Sequence, residues 1–586
     1  MSPSNKNQHL LIILLISVLV LLIYSQTFYF PFILDDELFV LKNYIIRSWK
    51  LFPNIFTTDL SISALKDANF YRPVQTITYL LDFQFWRLNV FGYHLTNSIL
   101  FVVNSILVYF LIYLIGKDYW LAALSALLFA SHPIYCEAVT YIAGRAEVLL
   151  GVFSILSLIL FIRYSDFKGF KKNLGYSSSL FCFGLALLSK ELAVIFPLAL
   201  MLYDFSFNKD GLIRLRNFTK RHAPFILLTL IYILLRLTVL KFSDAISETG
   251  KYPLWQRSLA ILANFNAYFK VLLYPFGLHM SRYVVIPKGI LNWRVFAGAI
   301  SLVFILTGMG VAYRKNRQIF FWSAWFMLWF IPQSGLFPIN AFFAEHFIYL
   351  SAIGFFALLV YFFKKLLPRL AVFSLVMILM AVFSYGTILH NQDWQGIEAF
   401  YKSILRQNPK SWLAHTNLGN YYLNQRRYVE AENEYHLALA LRPKLKIVHA
   451  NLAIIHLFRG ENKEADKEMA KSISLDNVQL SSPNFKFPQL KEYLNAFSKD
   501  WDLVNMYNGL GMLFARNKQM DYARQAFETA ITLSPSFPDA HWNLGSLYWR
   551  MGDYQKARHE WEITLRLEPG HIYARQWLDK IKSPKR

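Results

Sequence analysis

Three adjacent carboxylates, Asp35-Asp36-Glu37, follow directly after the first long apolar run of the chain. A carboxylate in such a place can act as a general base that takes a proton from a hydroxyl group. A low-dielectric wall beside it would raise its pKa toward the range that proton transfer needs. A solvated acidic loop is the plainer alternative. We predict all three as catalytic candidates, and Asp35 and Asp36 as the ligands if a divalent metal takes part; the sequence makes no cofactor certain.

Further charged residues lie at the ends of other apolar runs, on what we expect to be the same, outer side. Lys and Arg normally collect on the cytoplasmic side, so outward cations are unusual. One of them could simply snorkel, but several that converge would bind an anionic headgroup. Charged residues at membrane depth are functional candidates by default, although a structural role is an equal alternative for His94 and His346. The candidates for substrate binding are Arg72, His94, His132, Arg145, Lys190, Glu191, Glu345 and His346.

Other common site signatures are missing from the sequence. There is no P-loop, dinucleotide fingerprint, HExxH or GxSxG motif. The two cysteines, Cys136 and Cys182, are too few for a disulfide framework or a thiolate metal site. Because an outward site has no access to cytoplasmic nucleotide-linked donors, its donor should be linked to a lipid.

The composition indicates that membrane helices must position these residues. Hydrophobic residues make up 55% of the 586 and charged residues only 17%, whereas a soluble domain carries about a quarter charged residues. The net charge of +23 could indicate nucleic-acid binding. However, many of the charges sit in short loops between apolar runs, which is typical of membrane topology signals. We therefore predict a membrane protein and no nucleic-acid partner.

A membrane-spanning helix needs about 20 mostly apolar residues. The first run has no small-residue cleavage site, so we interpret it as a retained span rather than a signal peptide. About eleven spans are predicted: Leu10–Phe30, Tyr93–Ile115, Trp120–Ile134, Val148–Ile162, Ser177–Ser189, Leu192–Phe205, Pro224–Leu240, Val295–Tyr313, Ile319–Phe337, Phe347–Phe363 and Leu370–His390.

One further apolar segment, Leu259–Phe276, contains Asn264, Asn266 and Lys270, which are costly in a lipid-facing helix. We interpret it as interfacial or re-entrant, although a true crossing stays open. If it does not cross, the basic loops fall on the cytoplasmic side together with the N-terminus. The outer loops are then 31–92, 132–147 and 241–293, and the chain after residue 391 is also outside.

The C-terminal region changes to a repeat with small residues in a fixed register. Gly419 and Ala453 are 34 positions apart, as are Gly511 and Gly545. This is the period of the tetratricopeptide repeat, a pair of helices that stacks into a solenoid. Each anchor is followed by an alanine twelve positions later, and large aromatic residues recur in the second helix: Ala431, Ala465, Ala523 and Ala557, with Tyr435, Phe527 and Trp561.

The predicted fold is therefore all-α, a polytopic membrane helix bundle followed by a tetratricopeptide-repeat α-solenoid. The membrane domain covers residues 1–391, and a capping half-repeat covers 392–411. Repeat units 1–2 occupy 412–479 and units 3–4 occupy 504–571. An insertion at 480–503 interrupts the array, and 572–586 form a C-terminal helix and tail.

The ordered motifs of the membrane region resemble a known family. These motifs are Phe32–Glu37, Tyr71-Arg72-Pro73, Gly92–Asn97, His132-Pro133, Glu137-Ala138-Val139, Gly144–Glu147, Leu188–Glu191, Tyr274-Pro275, Leu278-His279-Met280, Ala344-Glu345-His346 and Tyr349-Leu350. The chain is similar to the TMTC-type protein O-mannosyltransferases of the GT-C glycosyltransferase superfamily, and we expect a bacterial member. It departs from animal members in its short repeat array and at Ser281-Arg282-Tyr283, where those tend to place an acidic residue before the aromatic one.

The resemblance implies an inverting membrane glycosyltransferase. The expected donor is a polyprenyl-phosphate-linked sugar, with mannose as the expected sugar, and the acceptors are Ser or Thr hydroxyls of exported proteins. Asp35 or Asp36 would be the catalytic carboxylate, with Glu37 beside it. Outward cations would bind the carrier phosphate, which suggests Arg72, Arg145 and Lys190. The repeats would bind the protein acceptor.

Two alternatives remain open at the sequence level. The first is a GT-C transferase that acts on a lipid or a surface glycan. The second is a membrane-anchored repeat scaffold without enzymatic activity. For location, we expect a multi-pass protein of the bacterial inner membrane rather than the endoplasmic reticulum, with the N-terminus in the cytoplasm and the repeats outside.

Overall fold

The computed structural model describes residues 3–60, 70–207, 215–240, 249–280, 284–337, 339, 341–474, 503–516 and 518–582. Within these ranges the regular structure is helical and no strand occurs, which confirms the all-α prediction. The chain forms two compact units, Met1–Pro409 and Lys410–Arg586. The predicted insertion at 480–503, except for its last residue, and the motif 281–283 lie outside the described residues.

The first unit contains fifteen α-helices among its described residues. Short 3₁₀ and π-helical turns link several of them, notably on both sides of the acidic loop. The α-helices are α1 Pro3–Tyr24, α2 Pro73–Trp86, α3 Val90–Gly116, α4 Tyr119–Ser131, α5 Cys136–Val139, α6 Arg145–Arg163, α7 Gly169–Leu187, α8 Phe196–Phe207, α9 Leu215–Leu237, α10 Leu254–Leu273, α11 Trp293–Lys315, α12 Arg317–Phe330, α13 Ser351–Leu366, α14 Arg369–Asn391 and α15 Ile397–Gln407.

Several of these helices are long and apolar enough to cross a membrane. Of the described residues, five stretches meet this test alone: Lys6–Tyr29, Val90–Gly116, Ile142–Asp166, Trp293–Lys315 and Arg369–Trp394. The pair Tyr119–Ser131 and Pro133–Val139 adds a sixth if its 56° bend lies within one span. Helices coincide with all eleven predicted spans, but some are shorter than a span needs. The number of crossings therefore stays a prediction.

The segment predicted as interfacial forms the twenty-residue helix α10, Leu254–Leu273. Its Asn264 is buried and donates from Nδ2 to the carbonyls of Ala260 at 2.7 Å and Val285 at 2.9 Å. These bonds satisfy the Asn264 amide inside the protein, so one of the three polar residues on which the prediction relied does not face lipid. Whether α10 crosses the membrane is thus still a prediction.

The second unit is an array of helix pairs, as the repeat register predicts. Its described helices are α16 Trp412–Asn424, α17 Tyr428–Leu441, α18 Lys446–Phe458, α19 Asn462–Ser474, α20 Leu503–Arg516, α21 Met520–Leu533, α22 Pro538–Arg550, α23 Tyr554–Leu567 and α24 Ile572–Lys582. A Cβ on Gly419 would lie 2.6 Å from the Tyr435 ring, and one on Gly545 would lie 2.6 Å from Trp561. In these two pairs, the glycine in the first helix therefore leaves room for the large aromatic side chain of the second helix. This explains why the two residues recur together in the repeat.

Candidate active site

The acidic loop begins at Leu34, which has a left-handed backbone with φ of 51°. Asp36 follows and is almost fully buried, with 1% of its surface exposed. Its Oδ1 accepts the backbone N–H of Ala143 at 2.7 Å, and its Oδ2 accepts that of Ile33 at 3.2 Å. Burial raises the pKa of Asp36 to about 8, against the opposing pull of these two donors. Asp36 thus ties the loop to the segment before α6.

The two neighbours of Asp36 point to the surface. Asp35 and Glu37 are both exposed. Glu37 pairs with Lys42 at 2.8 Å, an exposed ion pair of little energetic weight. The backbone N–H of Asp35 donates to the hydroxyl of Tyr141 at 2.8 Å. Of the three predicted carboxylates, Asp35 is therefore the one that is both exposed and anchored to a buried residue.

Tyr141 is itself held by the chain just after the last predicted span. Its ring stacks on Trp394 with a centroid distance of 5.2 Å and an interplanar angle of 24°. Next to it, Thr140 donates to Asn391 Oδ1 at 2.6 Å, and Asn391 donates to the Ile23 carbonyl at 3.0 Å. The end of α14 thus joins the end of α1 to the segment at Thr140 and Tyr141, which bonds the Asp35 backbone.

A metal site is not evident at this loop. Among the described residues, no group of three or more His, Cys, Asp or Glu side chains is arranged to hold a metal ion. Both oxygens of Asp36 already accept backbone N–H groups. The pairing of Asp35 and Asp36 as metal ligands is therefore not carried forward.

Two of the predicted cations meet acidic partners near each other. Arg72, just before α2, pairs through a terminal guanidinium nitrogen with Glu191 Oε2 at 3.3 Å. Lys190 pairs closely with Glu147 Oε1. Burial would raise the pKa of Glu191, but Arg72 and Lys190 hold it below its usual range. Because Lys190 and Glu191 are adjacent in sequence, the two ion pairs lie side by side.

His346 extends these ion pairs to a third carboxylate. Its Nδ1 lies 2.9 Å from Glu137 Oε1, and its Nε2 lies 3.8 Å from Glu147 Oε1. The approach of α5 to α6 requires Gly144, where a Cβ would lie 2.3 Å from the Glu137 carbonyl. We call this group the charged cluster; its members are Arg72, Glu137, Glu147, Lys190, Glu191 and His346.

The charged cluster is linked to the acidic loop through one stretch of chain. Tyr141 and Ala143, which bond Asp35 and Asp36, lie between Glu137 and Glu147 in sequence. The structure thus joins Arg72, Lys190, Glu191 and His346 through their carboxylate partners, and it connects Asp35 to the chain between two of those partners. Their roles in substrate binding are still proposals.

Glu345 lies beside the charged cluster in a second polar group. It is buried, and its Oε2 lies 3.2 Å from His390 Nε2. The other ring nitrogen of His390 lies 3.0 Å from Asp393 Oδ2. This arrangement fastens α14 to the start of the segment that leads into α13, which gives Glu345 a structural position.

Arg145 does not fit the predicted role as a phosphate ligand. It is fully buried, pairs with Asp82 at 2.6 Å, and stacks on the Tyr79 ring at 4.6 Å. Its remaining N–H groups donate to Asn97 Oδ1 at 2.5 Å, Thr78 Oγ1 at 3.0 Å and the Tyr93 carbonyl at 3.0 Å. With its donors used inside the protein, Arg145 is a core ion-pair residue.

The two remaining histidines also make internal contacts. His94 is buried and its Nε2 lies 3.1 Å from the Phe30 carbonyl. His132 is buried between α4 and the next turn, where Nδ1 accepts the Ile134 N–H and Nε2 lies 3.2 Å from the Leu272 carbonyl. The contact of His94 agrees with the structural alternative, and His132 has internal partners for both ring nitrogens. Neither histidine is therefore proposed as a substrate ligand below.

Sequence reasoning missed several members of the site. Glu137 and Glu147 stood in the quoted motifs but were not singled out. Their signal was a carboxylate inside an almost uninterrupted apolar stretch, which is costly unless it is paired. Tyr141 carried no comparable signal, because an aromatic residue near a span end is common.

Comparison with known proteins supports the repeat array. Family models described as "TPR repeat" and "Tetratricopeptide repeat" match residues 512–552 and 538–571, and a further "Tetratricopeptide repeat" model matches residues 400–433. The first match begins inside α20 and the second at the start of α22. The predicted α-solenoid of tetratricopeptide repeats is therefore confirmed.

Relatives resemble almost the entire chain. Human protein O-mannosyl-transferase TMTC3 is 23% identical over 93% of this chain and 63% of its own length. The Caenorhabditis elegans protein O-mannosyl-transferase F38B6.6 is 27% identical over 70% of this chain and 60% of its own length. The chain thus spans less than two thirds of the length of these relatives.

A solved structure, that of ArnT from Cupriavidus metallidurans bound to undecaprenyl phosphate, is similar over 79% of this chain and 75% of its own, with 14% identity and a TM-score of 0.35. That score is too low to support an argument from shared fold. The sequence comparisons alone confirm the predicted resemblance. Over nearly its whole length, the chain is similar to the TMTC-type protein O-mannosyl-transferases.

Proposed function

We propose that this protein is an inverting membrane glycosyltransferase of the GT-C type. It moves a sugar, mannose by analogy with its named relatives, from a polyprenyl-phosphate carrier to Ser or Thr hydroxyls of exported proteins. The observation that carries the proposal is that one stretch of chain, from Glu137 to Glu147, holds both the Asp35 backbone and two carboxylates of the charged cluster. This stretch connects a candidate base to candidate phosphate ligands.

Asp35 is the proposed general base. It is exposed, so that an acceptor hydroxyl can reach it, and its backbone is fixed by the Tyr141 hydroxyl at 2.8 Å. Asp36 is a poor candidate for this role because both of its oxygens face backbone N–H donors and it is buried. Asp36 instead supports the loop that presents Asp35.

Arg72 and Lys190 are the proposed ligands of the carrier phosphate. Both lie in the charged cluster, and their carboxylate partners keep them in place before the donor binds. Fixed cations of this kind stabilise the negative charge that develops on a leaving group without reorganisation during the reaction. Arg72 offers a planar fork for two phosphate oxygens, and Lys190 offers a single positive charge.

The reaction is a single displacement at the anomeric carbon. The acceptor oxygen forms a bond to this carbon while the bond between the carbon and the phosphate oxygen breaks. The hydroxyl proton moves to the Asp35 carboxylate, and the electron pair of the broken bond leaves with the phosphate. The products are a glycosylated side chain with inverted anomeric configuration and polyprenyl phosphate.

The repeat array is proposed to bind the acceptor protein. Stacked repeats present an extended surface to a partner, and the topology expected from the basic loops places this array on the outer side of the membrane, where Asp35 is also expected. An exported polypeptide would meet both there. The bacterial inner membrane is the proposed location.

The test uses the full chain reconstituted in lipid vesicles with polyprenyl-phosphate mannose and an unfolded Ser/Thr-rich acceptor protein. Mass spectrometry should detect mannose on acceptor hydroxyls, and the anomer should be opposite to that of the donor. Transfer to glycan or lipid but not to protein would favour the glycan-directed alternative. The proposal would be contradicted if the protein still binds the carrier but transfers sugar to no acceptor.

A further inference from the structure

The charged cluster contains hydrogen-bonding atoms that the ion pairs leave unused. Within the part of the chain that the structure describes, the buried atoms Arg72 Nε, Glu147 Oε2 and Glu191 Oε1 have no hydrogen-bond partner. In Glu191 and Glu147, one carboxylate oxygen pairs with a cation and the other oxygen has no hydrogen-bond partner among the described residues. A buried polar atom without a partner costs free energy, so several such atoms on neighbouring charged groups point to a ligand that completes them.

A fourth atom of this kind belongs to Tyr232 on α9. Its hydroxyl is buried, with 7% of the residue exposed, and it has no hydrogen-bond partner among the described residues. Arg236, one turn further along α9, lies with its guanidinium carbon 5.8 Å from the centre of the Tyr71 ring, and Tyr71 precedes Arg72 in sequence. The charges of Glu191, Arg236 and Arg72 also act on Tyr232. Tyr232 thus carries an unused donor on the part of α9 that approaches the Arg72 segment.

The chemistry of these four atoms is complementary to a glycosyl phosphate. Arg72 Nε–H and the Tyr232 hydroxyl are donors, which suit phosphate oxygens. Glu147 Oε2 and Glu191 Oε1 are acceptors, which suit sugar hydroxyls. A bare phosphate would complete only the two donors, and the two acceptors would still need hydroxyl groups. A ligand that carries both a phosphate and a sugar completes all four atoms.

We infer that Tyr232 is a phosphate-binding residue of the donor site and that Glu191 binds a hydroxyl of the donor sugar. This inference rests on the proposed function and extends it, because it divides the site into a phosphate part and a sugar part. Tyr232 was not among the residues that the sequence pattern indicated, since it lies in an apolar run with no charged neighbour closer than Arg236.

The experiment measures lipid binding by the full chain in nanodiscs, without any need for turnover. The probes are polyprenyl-phosphate mannose, polyprenyl phosphate and uncharged polyprenol. Tyr232→Phe should weaken both phosphate lipids by about tenfold, the effect of one lost charge-assisted hydrogen bond, and leave polyprenol binding unchanged. Glu191→Gln should reduce the advantage of the mannose-bearing lipid over polyprenyl phosphate.

Tyr135→Phe is the matched control. The Tyr135 hydroxyl is also buried without a hydrogen-bond partner in the described residues, but it packs among Phe101, Phe129 and Tyr349. The Tyr135→Phe variant should bind all three probes with wild-type affinity. If Tyr232→Phe binds both phosphate lipids with wild-type affinity, the inference is wrong. If the wild type prefers neither phosphate lipid over polyprenol, the proposed donor fails together with it.

Discussion

The hydroxyl of Tyr141 accepts a 2.8 Å hydrogen bond from the backbone amide of Asp35, while the Tyr141 ring stacks on Trp394. This contact positions the proposed base from a residue that need not touch the substrate. Removing the hydroxyl in Tyr141→Phe keeps the stacked ring but frees the loop. We expect kcat to fall by about tenfold with little change in the donor KM, because the base is misplaced and the charged cluster is not.

The matched control for this substitution is Tyr176→Phe, which removes a hydroxyl that donates to the Arg221 carbonyl at 2.9 Å away from the acidic loop. It should leave kcat unchanged. An unchanged kcat in Tyr141→Phe, or an equal loss in both variants, would contradict a positioning role for Tyr141.

Arg145 and Arg72 should respond differently to the same substitution. Arg145→Met leaves Asp82 buried without its cation, and loss of one partner of a buried pair costs about 3–5 kcal/mol. We expect a clearly lower thermal midpoint of unfolding in detergent. Arg72→Met removes a partly exposed pair, so its midpoint should stay near that of the wild type while the donor KM rises. The reverse pattern would show that the structural and binding roles are exchanged.

The repeat array contains a histidine, His541, whose pKa is higher in the folded protein than in the unfolded chain. Burial would lower the pKa of His541, but its 2.6 Å contact with Glu560 and its 3.0 Å contact with the Pro535 carbonyl raise the pKa above its usual value. The resulting stabilisation is therefore full below about pH 6.5, the ordinary histidine pKa, and is lost as the pH rises through the folded-state pKa.

Hydrogen exchange of the full chain tests this pH dependence. After correction for intrinsic rates, amides of Pro538–Arg550 should be better protected at low pH than at high pH. His541→Gln should remove most of that difference, whereas the exposed His559→Gln should keep it. Equal pH dependence in the wild type and His541→Gln would rule out the contribution of this pair.

The repeat unit was predictable because its signal is periodic. A glycine faces a large aromatic side chain of the paired helix in three of the repeat units, as Gly419 faces Tyr435, Gly511 faces Phe527 and Gly545 faces Trp561. Arg72 and Lys190 were also predictable as site candidates, since charge at the end of an apolar run is conspicuous. The expected topology put both on one side of the membrane, and their ion pairs with Glu191 and Glu147 add the tertiary contact between them.

The partners of these residues were not predictable from local pattern. Arg145 looked like a phosphate ligand because Asp82, its partner, lies 63 positions away on a helix where a polar residue is ordinary. Asp35 and Asp36 are indistinguishable in sequence. They differ in the folded protein because the backbone N–H groups of Ile33 and Ala143 donate to the Asp36 carboxylate. Such pairings depend on tertiary contacts rather than on spacing.

The most direct test of the central claim compares Asp35→Asn with Asp36→Asn in the reconstituted transfer assay, with thermal unfolding of each variant measured in parallel. Asp35→Asn should keep the wild-type unfolding midpoint and carrier binding but lose at least about a hundredfold in kcat, the typical contribution of a general base. Asp36→Asn should lower the midpoint, because Ile33 or Ala143 then faces an amide donor. Wild-type kcat in a folded Asp35→Asn variant would contradict the account.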